Sequence, residues 1–336
     1  MTTPAIRALK ESGPACPRRV TLLTSSSGAA AADLVPEIDE VIVYEAPWMK
    51  AGAEDADPRP DLAMIERLRE RSFAAAVIFT VYSQNPLPAV MLCYLAGIPL
   101  RLAHCHENPY HLLTDWVPDR EPGRFIRHEV QRQLDLVAAI GCRTRDPRLS
   151  LRVPDGAHER LYDRLAGTGL DPLQPWVVIH PGATAASRRY SPDQYAEVAY
   201  RLSGEGFQVV FTGTAAEQVL VDRIRAGVRR AARLNGAARV PRTYSLAGAL
   251  RLGEMAALLQ EAPVLIANNT GPVHMAAALG TPVVVLYALT NPQHTPWQTP
   301  NRVLSHDDPG DVPCKFCYKS VCVAGHHGVG RGRSKK

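Results

Sequence analysis

The sequence predicts an α/β protein of two domains, each a parallel sheet with helices on both faces. Three observations carry this expectation. Short apolar runs alternate with stretches whose apolar residues recur every three or four positions, the rhythm of strands and amphipathic helices in turn. At 336 residues the chain is long enough for two cores of ordinary size. Late in the chain an apolar run passes through Asn268-Asn269-Thr270-Gly271-Pro272 into a helical pattern, the kind of strand-to-helix turn where parallel sheets hold ligands.

In the first half, strands are predicted at 20–23, 41–44 and 76–79, and the charged, proline-containing stretch 50–61 reads as a loop. A helix is predicted over 125–140, where Ile126, Val130, Leu134 and Val137 share one face and Gly141 suits the end. Four prolines and three glycines break the segment 143–175, and the boundary is placed within it, giving an N-terminal domain 1–165 and a C-terminal domain 166–336.

The second half is more regular. A strand at 176–179 leads to the turn His180-Pro181-Gly182-Ala183. Ser191 is placed as the cap of a helix with Pro192 at its first position, where a missing N–H costs nothing. Tyr195, Val198, Ala199 and Leu202 form the buried stripe of that helix, and Gly204 and Gly206 end it before a strand at 207–212. Helices follow at 217–230 and 253–262, then a strand at 264–267, a helix ending at Leu279 with Gly280 as its stop, and a strand at 283–287.

Composition narrows the function. With 46% apolar and 21% charged residues, the chain has the make-up of a water-soluble protein, and no apolar run reaches the 18 residues of a membrane span. No segment reads as a signal peptide, so the expected location is the cytoplasm, with the inner face of its membrane as the sharper alternative. The formal charge of +5 sits partly in the tail 331–336. That tail reads as a solvated terminus; weak peripheral attraction to an anionic membrane is the other reading. The basic stretch 223–233 reads as the wet face of a helix, and no motif promotes either run to a nucleic-acid site.

Three loops carry candidate chemistry. A helix that starts at Thr270-Gly271 offers free N–H groups and a partial positive charge to a phosphate. Thr270 adds a hydroxyl, Asn269 precedes it, and His274 lies one turn inside. Read alone, this is equally an ordinary capped helix with His274 packed. The loop 180–190 carries Thr184, Ser187, Arg188 and Arg189 after a strand, where an arginine would neutralise a diphosphate leaving group. Read alone, these are surface arginines. Glu217 follows the next strand, placed to accept hydrogen bonds from a ribose or simply to favour a helix dipole. All three loops follow strands of one sheet and are expected to open on one crevice.

With these residues in view, the chain resembles glycosyltransferase family nine, the ADP-heptose:lipopolysaccharide heptosyltransferases. The resemblance rests on His180-Pro181-Gly182-Ala183, Arg188-Arg189-Tyr190, Glu217, Asn269-Thr270-Gly271-Pro272-Val273-His274 and Gly280-Thr281-Pro282. It implies a GT-B fold, two Rossmann-like domains with the active site between them, and metal-free, inverting transfer of heptose from an ADP-sugar with no cofactor. It places Arg188 at a basic, often lysine, phosphate contact and Glu217 at the donor ribose. Asn269, Thr270, Gly271 and His274 fall on the diphosphate and sugar contacts, Asn269 where the family often has aspartate. The N-terminal domain would receive a glycan or glycolipid acceptor; the segments 107–111 and 128–130 resemble family segments without an assigned role.

The start departs from the pattern. Family members open with a strand and a Gly-Asp turn before a stretch like Thr2-Thr3-Pro4-Ala5-Ile6-Arg7-Ala8-Leu9. The aspartate of that turn is the family's proposed general base. The expectation is therefore an N-terminal domain without its first strand, a chain that is an incomplete reading of a longer one, and no assignable base. Of seven cysteines, Cys314, Cys317 and Cys322 cluster near His326, a spacing that would supply four zinc ligands. A packed, reduced tail is the preferred reading. A nucleotide-sugar epimerase and a catalytically silent nucleotide-sugar binder are the rival functions; detection of sugar transfer separates both from a transferase.

Overall fold

The computed structural model describes residues 1–13, 18–49, 57–185, 188–237, 239–287 and 292–305. The chain divides into two units, Met1–Ser150 and Leu151–Lys336. The division falls after Ser150 and not at residue 165. Helix α6 (Ala157–Ala166) explains the shift: Ala157 and Leu161 are fully buried in the core of the second unit.

The first unit runs α1 (Thr3–Glu11), β1 (Thr21–Thr24), α2 (Ser26–Ala32), β2 (Glu40–Val43), α3 (Arg59–Glu70), β3 (Ala75–Ile78), α4 (Leu87–Leu95), β4 (Leu100–Cys105), β5 (Asp115–Pro118) and α5 (Glu129–Ala138). Every ladder is parallel, but there are two sheets, β1-β2 and β3-β4-β5. Leu23 and Ile42 of one sheet and Ala76 of the other join a single apolar cluster with Met64, Ile65, Leu68 and Leu92. Yet no ladder joins β1 to β3 among the described residues, so each has an edge without strand pairing. Helix α1 buries Ala5 and Ala8 against Val137 and Cys142, with Val77 and Phe79 alongside.

Helix α5 starts at Glu129, four residues later than the periodicity predicts, because the His128 side chain accepts from the Val130 N–H at 3.2 Å. Ile126 is consequently exposed, outside the helix. The buried face of α5 is also partly ionic. Arg132, 1% exposed, donates to Asp119 at 2.6 Å and to Glu121, while Arg127 bridges Glu121 (3.0 Å) and Asp135 (2.9 Å). Burial opposes ionisation of Asp119, but hydrogen bonds from Arg132 and from the Glu121 N–H outweigh it and hold its pKa below the usual carboxylate value.

The second unit continues with β6 (Trp176–His180), α7 (Pro192–Gly204), β7 (Gln208–Phe211), α8 (Gln218–Leu234), β8 (Thr243–Ser245), α9 (Leu252–Glu261), β9 (Leu265–Asn268), α10 (Gly271–Leu279), β10 (Val283–Tyr287) and β11 (Asn301–Ser305). Its single parallel sheet has the order β11-β10-β9-β6-β7-β8. The strands are apolar on both faces, as a doubly covered sheet requires. One face packs Val178, Val210, Val283 and Val285 with α9 and α10; the other packs Val177, Ile179, Val209 and Phe211 with α7 and α8. Pro192 opens α7 as expected, but the Ser191 hydroxyl makes no cap bond. Gly280, at φ +80°, closes α10 in a left-handed conformation. No helix among the described residues is long and apolar enough to cross a membrane.

Candidate functional site

The strand order of the second unit has a reversal, the feature at which open parallel sheets bind ligands. From β6 the chain winds outward through β7 and β8, then returns to lay β9 on the other side of β6. The order reverses between β6 and β9, and such a reversal opens a crevice beyond the carboxyl ends of the two strands. The loop carrying Arg188 leaves β6, and the Asn269-Thr270-Gly271 turn leaves β9. Both therefore border that crevice.

Asn268, the last residue of β9, stitches the two loops together. Its fully buried amide donates to the Pro181 carbonyl at 2.8 Å, and its carbonyl oxygen accepts from the Tyr190 N–H at 3.0 Å. It thereby clamps both ends of the loop that presents Arg188. Within this loop Arg189 turns back to the Ala183 carbonyl at 2.7 Å, so Arg189 holds the loop's shape while Thr184 and Arg188 do not share that bond. Ser187 lies outside the described residues.

Thr270 is the N-cap of α10, yet its hydroxyl makes no cap bond and is buried without a hydrogen-bond partner among the described residues. Such an orphan costs roughly 1–3 kcal/mol unless something else accepts or donates there. Gly271 and Pro272 open the helix, and the N-terminus carries the positive end of its dipole. Asn269 is buried, and His274 lies in the first turn.

Glu217 arrives from the neighbouring strand β7. It closes a short 3₁₀ turn, Ala215–Glu217, and accepts from the Thr214 N–H at 2.8 Å and the Thr214 hydroxyl at 3.0 Å. Its carboxylate rests against Gly182, where a side-chain carbon would overlap it. Glycine at 182 is thus what lets Glu217 reach the β6 loop. His180, at the end of β6, is buried and bonds the Thr212 hydroxyl at 3.0 Å. Burial pushes its pKa down and the Glu217 charge pulls it up; burial dominates, leaving a neutral imidazole at neutral pH.

Residues predicted on three loops, Thr184 with Arg188, Glu217, and Asn269 through His274, thus lie at the ends of the three neighbouring strands β6, β7 and β9. Asn268 and His180 were in view as parts of motifs but carried no assigned role. Tyr287, at the end of β10, was not singled out at all. Cys314, Cys317, Cys322 and His326 lie outside the described residues.

The sequence matches the model of glycosyltransferase family 9 (heptosyltransferase) over residues 62–325. The chain belongs to glycosyltransferase family 9. It is 29% identical over 271 residues to lipopolysaccharide heptosyltransferase 2 of Escherichia coli K12, spanning 78% of this chain and 72% of that protein. A family 9 glycosyltransferase structure from Veillonella parvula superposes with a TM-score of 0.70 at 19% identity, covering 97% of this chain and 87% of that one. The E. coli heptosyltransferase WaaC, solved with ADP-2-deoxy-2-fluoro heptose, gives a TM-score of 0.61 at 16% identity, covering 90% of this chain and 88% of that one. The protein is a glycosyltransferase with the GT-B fold.

Proposed function

We propose that the protein transfers a heptose-type sugar from an ADP-sugar to a hydroxyl of a lipopolysaccharide-core or related glycan, with inversion at the anomeric carbon. One observation carries the reading: Arg188, Glu217 and the open start of α10 belong to adjacent loops at the sheet's reversal point. Arg188 and the N–H groups of α10 would hold the diphosphate, Glu217 the ribose, and Thr184, Asn269 and His274 further donor atoms. The acceptor hydroxyl oxygen attacks the anomeric carbon as the bond to the diphosphate oxygen breaks, and the hydroxyl proton passes to solvent. The departing group keeps the electron pair, and the negative charge that grows on it is met by Arg188 and the helix dipole.

The acceptor belongs, on this reading, to the first unit. There a cavity of about 160 Å³ at the ends of β3 and β4 is lined by Tyr82, Ser83, Gln84, Asn85, His106 and Glu107. Hydroxyl, amide and carboxylate groups of this kind suit a polyol. The ADP-heptose analogue bound by WaaC and the lipopolysaccharide activity named for the E. coli relative support the choice of donor and acceptor. A lipid-linked acceptor would bring the enzyme to the inner face of the cytoplasmic membrane. The test is incubation with ADP-heptose and heptose-terminated core oligosaccharide, with product read by mass spectrometry and anomeric configuration by NMR. Transfer with retained configuration, or no transfer from any ADP-sugar, would sink the proposal.

A further inference from the structure

Strand β10 ends one residue beyond its pairing with β9: Leu286 stands opposite Asn268, so Tyr287 is level with Asn269 one strand away. Alternation along β10 puts Val283, Val285 and Tyr287 on the face that packs against α10, whose first turn lies at this same end of the sheet. Tyr287 is 2% exposed, and its hydroxyl is buried with no hydrogen-bond partner among the described residues. A tyrosine so placed normally satisfies its hydroxyl. Here it does not, and neither does Thr270 on the neighbouring loop. The Arg188 charge also reaches this hydroxyl: burial raises its pKa, and Arg188 pulls the other way.

Two orphaned hydroxyls, a cation and a helix N-terminus thus gather where β9 and β10 end. The pattern is that of a set of donors waiting for one anion. A purely structural tyrosine would be better served by phenylalanine, which fills the same space without a stranded hydroxyl. We infer that the Tyr287 hydroxyl is a donor-binding group that gives a hydrogen bond to the diphosphate of the nucleotide-sugar, beside Thr270 and Arg188. The inference rests on the nucleotide-sugar reading above and adds to it a contact that the motif residues do not include.

The test is Tyr287→Phe in the full chain, with calorimetric binding of ADP, adenosine and inorganic pyrophosphate and thermal melting without ligand. A hydrogen bond to a charged group corresponds to about a 10- to 100-fold change in affinity. ADP and pyrophosphate should weaken by that factor in the variant, adenosine should not change, and the ligand-free melting temperature should hold or rise. Unchanged ADP and pyrophosphate binding would overturn the contact, as would a fall in melting temperature with all three ligands weakened alike. Wild-type protein that binds pyrophosphate but not ADP would overturn the ADP-sugar reading instead, and the pyrophosphate comparison would still decide Tyr287.

Discussion

Replacing Gly182 with alanine moves one site residue by means of another. A Cβ at position 182 would overlap Oε1 and Cδ of Glu217 and lie 2.6 Å from Oε2, where ordinary contact is 3.4–4 Å. The backbone of Gly182 needs no left-handed conformation, so the strain falls on the carboxylate, which must swing away. In doing so it gives up its bonds to the Thr214 N–H (2.8 Å) and hydroxyl (3.0 Å). Hydrogen bonds to charged groups contribute about 1.5–3 kcal/mol, but this pair is solvent-exposed, so a loss near 1–2 kcal/mol in folding stability is expected. Displacing Glu217 from the proposed ribose position should also weaken nucleotide binding by roughly 5- to 30-fold. The assay is a double-mutant cycle: Gly182→Ala, Glu217→Ala and both together, each measured by urea denaturation and by ADP calorimetry. With Glu217 truncated, the three atoms nearest the added methyl are gone, so the second substitution should cost little. A coupling energy of about 1 kcal/mol or more is expected. If Gly182→Ala costs as much in the Glu217→Ala background as in the wild type, the glycine is not there to admit the carboxylate, and the reasoning fails.

Asn268→Ala removes a buried amide from the Pro181 carbonyl and the Tyr190 N–H; a stability loss of ~2–4 kcal/mol and weaker ADP binding are expected. A loss under ~1 kcal/mol in denaturation would contradict its role as clamp. His180 has a folded pKa below its unfolded value of about 6.5, so its contribution is complete above that pH and is lost as pH falls through the folded value. Melting temperature should therefore drop as pH falls below about 6.5, and His180→Gln should flatten part of that drop; an unchanged profile refutes the assignment. In the first unit, the edges of β1 and β3 that no described strand pairs should exchange amide hydrogens ~100-fold faster than β6 and β9, read by mass spectrometry, and equal protection would show the two sheets to be joined in solution.

The second unit was more legible than the first for a physical reason. Its strands β6, β9 and β10 are buried on both faces and read as unbroken apolar runs. Strand β4, by contrast, carries Arg101 and His104 in its buried interior. Arg101 spends its guanidinium on the Leu112 carbonyl at 2.6 Å, and the His104 ring bonds the Arg132 carbonyl at 3.1 Å. Those compensations are invisible in sequence, so β4 was missed. Helix α5 shows the same limit, because its start depends on a histidine side chain serving as cap. In the site, groups on a single strand-to-helix turn could be read locally. Tyr287 could not, because its neighbours are set by register between strands.

Asn268, which ends β9, and Asn269, which follows it, illustrate how differently adjacent residues in one motif are constrained. Asn268 both donates, to Pro181, and accepts, from Tyr190. An ionised aspartate has no hydrogen to give, so it could satisfy only one of these partners and would bury a charge. The position therefore demands an amide. By resemblance, Asn269 takes a place where the family often has aspartate; on the proposed function, an amide there puts one less negative charge beside the diphosphate. Arginine at 188, where the resemblance often has lysine, keeps the cation and adds a planar fork of donors. Both differences leave the balance of charge at least as favourable to a diphosphate. The loops proposed to gather it are held by residues with no charge at all, Gly182 making room and Asn268 fixing the loop. On the proposed function, selectivity for an anion comes from where backbone and loops converge.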